Sequence, residues 1–400
     1  MPTLSPLLER FKPSAISGMM GTVARLQSQG KKLYDFSTGE PDFDTPEHIK
    51  QAAIEAIKQG ETKYSPTDGT IAVRGAVQRK FERENNLGFA LEQIIVATGA
   101  KPLIADIIRA MAGPGDEIVL AAPAWPSHVG MIELAGAEPV FVKAGQAGGF
   151  IMQPEHLAAA ITAKTRAIVL CSPSNPTGAV YGQDALLAIA EVLRKHPDLW
   201  IITDDLYEHI IYDNQTFHSI LNVAPDLVKQ TVVVNGVSKA YAMTGWRIGY
   251  AAGPTKLMNG VRKVMSQATG CPCSISQIAA IAALDGPIDC VRDFVSAYQA
   301  RRDRSVSTLN QTPGLDCLSP QGAFYLYPSC AGVIGKHSPD GKIIKTSLDF
   351  ANYLLNDWSV AVVPGSAFEL DPHFRISTAT ADTDLDEGIA QIKRAVAALA

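Results

Sequence analysis

Val232-Val233-Val234-Asn235-Gly236-Val237-Ser238-Lys239-Ala240-Tyr241-Ala242-Met243-Thr244-Gly245-Trp246-Arg247-Ile248-Gly249-Tyr250 joins an apolar, β-branched run to a small-residue turn that presents one lysine. An amine attacks carbonyl carbon only in its neutral form, which calls for desolvation or a neighbouring cation to lower its pKa. Lys239 sits among Gly, Ala, Met, Tyr and Trp, with Arg247 downstream, so the segment offers both. Most lysines just past a strand are plain surface charge. The pattern of the surrounding chain lifts Lys239 above that reading.

From Gln93 to about Gly253, short β-branched runs alternate with helical periodicity. The runs cover 94–97, 117–121, 167–171, 200–203 and 231–235, and helices are predicted over segments such as 102–111 and 184–195. This alternation predicts an α/β sheet, largely parallel and covered by helices on both faces. Upstream, Thr45-Pro46-Glu47-His48 reads as a helix start, with Thr45 as cap and Pro46 as first helical residue. Periodicity continues through Ile49, Ala53, Ile54 and Ile57 and returns over 71–84, whereas 11–45 is mixed. Beyond about Leu284 the texture changes to a long polar helix over 289–309, strand-like pieces at 322–327 and 358–363, and a closing helix from Asp382. We read 46–288 as a large domain, which the motifs below make the cofactor-binding one, and 289–400 as a smaller α/β domain completed by 1–45.

Bulk properties narrow the function classes. The 400 residues are 46% hydrophobic and 19% charged, as in an ordinary globular protein, with no internal repeat or low-complexity tract. A net charge of -5 leaves no basic stripe for nucleic acid or anionic lipid. The first ten residues lack a basic-then-apolar signal, and no run reaches the roughly 18 apolar residues of a membrane span, so a cytoplasmic protein is expected. Six cysteines lie scattered without C-x-x-C spacing; they read as structural thiols, and no metal site is expected.

The polar motifs fall just past strand ends, where open α/β sheets bind ligands. Thr98-Gly99-Ala100-Lys101 follows the first run, Pro123-Ala124-Trp125 the second, and Ser172-Pro173-Ser174-Asn175-Pro176-Thr177-Gly178 the third. Asp204-Asp205-Leu206-Tyr207 and Gly236-Val237-Ser238-Lys239 end the next two. The turn at Thr98 to Ala100 can cradle a phosphate on backbone N–H groups at a helix start. Neither a P-loop nor a G-x-G-x-x-G pattern is present for nucleotides. A lysine able to form an imine, a carboxylate to protonate a ring nitrogen, and an arginine plus turn for a phosphate together point to pyridoxal 5′-phosphate.

With these motifs in this order, the sequence resembles the class I aminotransferases of pyridoxal-phosphate fold type I, and within them the bacterial aspartate aminotransferase group. The resemblance runs from Lys12-Pro13-Ser14-Ala15 through Gly39-Glu40-Pro41-Asp42-Phe43-Asp44-Thr45-Pro46 to Phe374-Arg375-Ile376-Ser377. It implies that Lys239 holds the cofactor and then moves the proton at the substrate Cα. Asp204 would pair with the pyridinium nitrogen, a role for which neighbouring Asp205 competes. Asn175 and Tyr207 would bond the phenolic oxygen, and Trp125 would stack on the ring. Arg247, Gly99 and Ala100, with Ser238 and Lys101 beside them, would hold the phosphate, although Ser238 has an alternative use as a local backbone cap. Tyr64 would reach the phosphate of a neighbouring subunit, implying a homodimer with shared active sites. Arg375 would grip the substrate α-carboxylate through its planar fork, with Gly39 letting backbone approach and Trp125 and Asn175 also facing substrate.

Lys101 would receive a second carboxylate. Here the sequence departs from the pattern: Ile16-Ser17-Gly18-Met19-Met20 follows the first motif, Ala124 and His128 replace two tyrosines around Trp125, and Gly270-Cys271-Pro272-Cys273 has no counterpart we can explain. His128 is either a second-carboxylate ligand or a packed or exposed residue. The expected activity is ping-pong transamination between an L-amino acid, aspartate or another acidic one, and a 2-oxo acid such as 2-oxoglutarate. The alternatives on the same scaffold are an aminotransferase for aromatic or neutral amino acids or prephenate, a β-lyase, or a non-catalytic cofactor-binding regulatory module.

Overall fold

Apolar side chains on both faces of a β-branched run force it into a sheet covered on two sides, since either face left wet would cost burial free energy. The computed structural model realises this for residues 3–11, 13 and 15–400, without the side chains of 6, 7 and 15–17. Lys12 and Ser14 of the Lys12-Pro13-Ser14-Ala15 motif therefore lie outside the described residues, and of Ala15, Ile16 and Ser17 only the helical backbone is described.

The strands run β1 (Tyr34–Asp35), β2 (Ile94–Ala97), β3 (Glu117–Ala122), β4 (Glu138–Lys143), β5 (Thr165–Cys171), β6 (Trp200–Asp204), β7 (Thr231–Gly236) and β8 (Gly249–Ala252). They continue as β9 (Tyr325–Leu326), β10 (Val360–Ala361), β11 (Val363–Pro364) and β12 (Phe374–Ser377). Seven form one sheet in the order β2-β8-β7-β6-β5-β3-β4, in which β8 alone runs against its neighbours. Alternate residues go to opposite cores: Ile94, Val96, Val119, Ile168, Ile201 and Val233 to one, Ile95, Ile118, Val169, Ile202, Val232 and Val234 to the other. Full burial of each such side chain contributes roughly 1.5–3 kcal/mol.

The early helices are α1 (Ala15–Ser28), α2 (Glu47–Lys58), α3 (Ile71–Asn85), α4 (Ala100–Met111) and α5 (Pro126–Leu134). Thr45 is not the cap of α2, as its sequence context predicts. Pro46 holds that position without a side-chain bond, because the Thr45 hydroxyl is engaged elsewhere: it donates to the Ala242 carbonyl at 2.7 Å and accepts from Trp246 Nε1 at 2.9 Å.

A second body packs around β11-β12-β9, an antiparallel sheet, and the parallel pair β1-β10. Its core joins Tyr34 and Phe36, from near the start of the chain, to Phe350, Leu385, Ile389 and Ile392 from near its end. Among the described residues no single helix is long and apolar enough to cross a membrane.

Candidate active site

The carboxyl ends of β2, β3, β5, β6 and β7 open on one cavity of about 410 Å³, closed on its other side by the loop after β1 and by β9 and β12. Its lining includes Gly39, Ala100, Lys101, Trp125 and Asn175, and equally Asp204, Tyr207, Ser238, Lys239, Arg247 and Arg375. Of the residues singled out in the sequence, Gly99 stands just behind the wall and Tyr64 lies away from the cavity, 99% exposed.

The floor of the anion corner is the start of α4. Gly99 takes φ +95° as its N-cap, and a Cβ there would collide with the Arg247 guanidinium, whose Cζ would lie at 2.9 Å. Only glycine satisfies both the backbone angle and the approach. Arg247 is itself left-handed, with φ 57°, and its Nη1 donates to the Thr244 carbonyl at 2.8 Å. Lys101 stands beside it with its ammonium 5.7 Å from the centre of the Trp125 ring. Desolvation by the surrounding protein and the nearby Arg247 charge both lower the Lys101 pKa, although the side chain as a whole is exposed. Two cations at a helix N-terminus make a corner suited to a phosphate-sized anion.

Lys239 follows β7 in a tight turn, and its Nζ donates to the Gly39 carbonyl at 2.6 Å. Burial brings its pKa down to about 8; Glu40 opposes that shift while Arg375 and Arg247 add to it. A substantial neutral fraction is therefore available near neutral pH, as an amine nucleophile requires. Gly39 admits no side chain, because a Cβ would meet the Tyr325 hydroxyl.

Asp204 ends β6 and points Oδ2 at His128 Nε2, 3.0 Å away, with both residues buried. His128 is thus a packed residue on α5, behind Trp125 with the rings 5.0 Å apart edge to face, and not a ligand on the cavity wall. Asp205 turns away from the cavity. It is bonded by the Thr203 hydroxyl at 2.5 Å, and its carboxyl is pushed up to about 7, chiefly by burial, with the Thr203 bond opposing and the Glu208 charge adding.

Arg375 on β12 is 1% exposed, yet its partners are neutral: Nη1 donates to Asn175 Oδ1 at 3.0 Å and Nη2 to the Ser37 carbonyl at 2.5 Å, while Nε is buried without a partner. Its fork lies between the rings of Tyr325 and Phe368, 4.6 and 5.3 Å from their centres. Burial lowers its pKa. A desolvated guanidinium with amide and carbonyl partners is a site for a carboxylate.

Tyr325, absent from the sequence reading as a site residue, bonds the Tyr207 hydroxyl at 2.6 Å. Burial and the neighbouring Tyr325 hold the Tyr207 phenol well above its usual pKa, so it is a neutral hydrogen-bonding group. Cys171, Thr38, Ile104 and Met20 also line the cavity. No local motif announces them, since each is an ordinary residue made functional by placement.

An amine of lowered pKa, a buried carboxylate, two cations at a helix start and a buried guanidinium thus share one cavity. The family model for aminotransferase class I and II matches residues 31–392; the chain belongs to the class I and II aminotransferases. It is 49% identical to an aspartate aminotransferase of Rhizobium meliloti (strain 1021), over 93% of this chain and 91% of that protein. An aspartate/prephenate aminotransferase of Cereibacter sphaeroides is 46% identical over 100% of both chains. The crystal structure of the aspartate aminotransferase from Rhizobium meliloti gives a TM-score of 0.97 at 46% identity, covering 100% of each chain. The chain is an aminotransferase enzyme with the mostly parallel α/β architecture expected of it.

Proposed function

We propose that this aminotransferase uses pyridoxal 5′-phosphate and moves the amino group of an acidic L-amino acid, aspartate foremost, to a 2-oxo acid such as 2-oxoglutarate. The observation that carries it is the pairing of Lys239, an amine buried to a pKa of about 8, with Arg375, a buried cation whose partners are neutral, in one cavity. The cofactor supplies an aldehyde for imine formation and a ring that accepts the electron pair released at the substrate Cα.

The chain's own groups divide the remaining work. Lys239 would hold the cofactor's aldehyde carbon and would serve as the base that moves the proton at the substrate Cα. Asp204, steadied by His128, keeps a ring nitrogen protonated. Asn175 and Tyr207 bond the phenolic oxygen, and Trp125 covers a ring face. Gly99, Ala100, Ser238 and Arg247 hold the phosphate, and Arg375 takes the α-carboxylate beside Gly39. The site lies between a large domain, 46–288, and a small one built from 1–45 and 289–400. A second copy, lending the fully exposed Tyr64, completes it in a cytoplasmic homodimer.

The relatives' names support aspartate as donor. Lys101, on the cavity wall and exposed, supplies a charge for a second carboxylate. Ile104 and Met20 on the same wall favour an additional reading, in which a ring-bearing acid such as prephenate also reacts. An absorption spectrum before and after borohydride tests the cofactor. The purified protein should show a chromophore that borohydride fixes on Lys239, and Lys239→Ala should abolish the fixation. A chromophore that survives unchanged in Lys239→Ala overturns the assignment. Rates with aspartate, alanine, phenylalanine and prephenate rank the substrates.

A further inference from the structure

The residue after Tyr207 points the other way. Glu208 leaves the cavity side of its turn and enters a polar pocket against the last turns of α3, where Lys80 and Asn85 meet it. Lys80 is fully buried, and its ammonium donates to Glu208 Oε1 and, at 2.6 Å, to Asn85 Oδ1. Asn85 Nδ2 donates to Glu208 Oε2 at 2.7 Å, so three side chains close a ring of bonds. Asn222 Nδ2 bonds the Asn85 carbonyl at 2.5 Å and anchors that end. Around the ring stand Glu84, 3.7 Å from Lys80 and 2.9 Å from His209 Nε2, and the His209 Nδ1, 3.6 Å from Glu208. Glu84, Glu208 and His209 cluster closely enough to ligate a metal ion, but the Lys80 ammonium already supplies the cation at the centre.

A buried ion pair is a poor stabiliser compared with apolar packing of the same volume, because desolvation offsets the attraction. What it supplies is direction. The turn it grips is short, closed by Glu208 N to Asp205 O at 2.9 Å and Ile210 N to Tyr207 O at 2.8 Å. Tyr207 projects from that turn into the cavity, where its hydroxyl meets Tyr325 and its ring lies 5.9 Å from the Lys239 ammonium. Catalytic groups need placement to about half an ångström, and a turn offers less rigidity than a strand.

We infer that Lys80, Glu208 and Asn85 form a clamp that fixes the turn bearing Tyr207, making Glu208 and Lys80 positioning residues for the chemistry at Lys239. The inference rests on the proposal that Tyr207 bonds the phenolic oxygen of the cofactor. The test is the absorbance–pH titration of the cofactor-loaded enzyme, with kcat and thermal unfolding in parallel, for Glu208→Gln, Tyr207→Phe and the double variant. Glu208→Gln should move the spectral midpoint in the same direction as Tyr207→Phe, by about half a pH unit, with kcat down about 10-fold. In the Tyr207→Phe background it should move the midpoint no further. If Glu208→Gln does not fold, Lys80→Met/Glu208→Met trades the pair for apolar volume and should fold with the midpoint still displaced. A midpoint that shifts in Tyr207→Phe but stays native in the Glu208 variants, or shifts independently in the double variant, overturns the clamp. A midpoint unmoved by Tyr207→Phe itself overturns the Tyr207 role instead.

Discussion

His128 Nε2 and Asp204 Oδ2 lie 3.0 Å apart, both buried, with His128 behind Trp125 and Asp204 on the cavity wall. The imidazole fixes the carboxylate at the base of the cavity and meets a lone pair that would otherwise be buried unbonded. Hydrogen bonds to charged groups contribute about 1.5–3 kcal/mol. His128→Leu should therefore lower kcat by about 10- to 100-fold, measured by steady-state kinetics, and loosen cofactor retention on dialysis. Native turnover in that variant would remove His128 from the chemistry.

Arg375 gives a sharper expectation. Removing one partner of a desolvated charged contact costs about 2–5 kcal/mol. Arg375→Ala should drop kcat/KM by about 100-fold or more with every α-amino acid, while the protein keeps its chromophore. Loss confined to one substrate would argue that the guanidinium reads the side chain rather than the α-carboxylate.

Asp205 makes stability depend on pH. Its carboxyl stands at about 7 in the fold against 3.8 as the ordinary value, mainly through burial. Between those values the folded state keeps a proton that the unfolded chain has lost, so stability falls as pH rises through the window and the cost persists above it. Asp205→Asn removes that slope and can keep the bond from Thr203. Urea midpoints should show the variant gaining on the native protein by roughly 3 kcal/mol between about pH 5 and about pH 8. A constant difference across that range would show that Asp205 ionises freely.

The sheet was legible because its strands announce themselves twice, by β-branched runs and by the small or polar residues that end them. Ile94–Ala97 matches the expected run residue for residue, and the run at 167–171 extends only back to Thr165. What escaped lacks those marks. Gly249–Ala252 has no β-branched residue and is held as a strand by pairing with β2 and β7. Glu138–Lys143 carries a proline, tolerated because it is an edge strand. Pro126–Leu134 spreads its apolar residues around the helix, with Ser127, His128 and Glu133 among them, so no helical face stands out. Thr45 misled because capping is a local rule and its hydroxyl serves partners about 200 positions away. In the same way Tyr325 joins the site through partners far off in sequence, Tyr207 118 positions earlier and Arg375 on another strand.

The proposed carboxylate role of Arg375 also bears on what the enzyme refuses. With neutral partners and a buried Nε that has no partner, it makes selectivity a matter of penalty more than attraction. An amine lacking the carboxylate does not merely forgo a contact: on entering, it shuts out the water that could have screened the guanidinium and leaves a naked charge behind. On the proposed carboxylate role, simple amines and decarboxylated analogues should be turned away by the protein's own unbalanced cation, before any feature of their side chains is consulted.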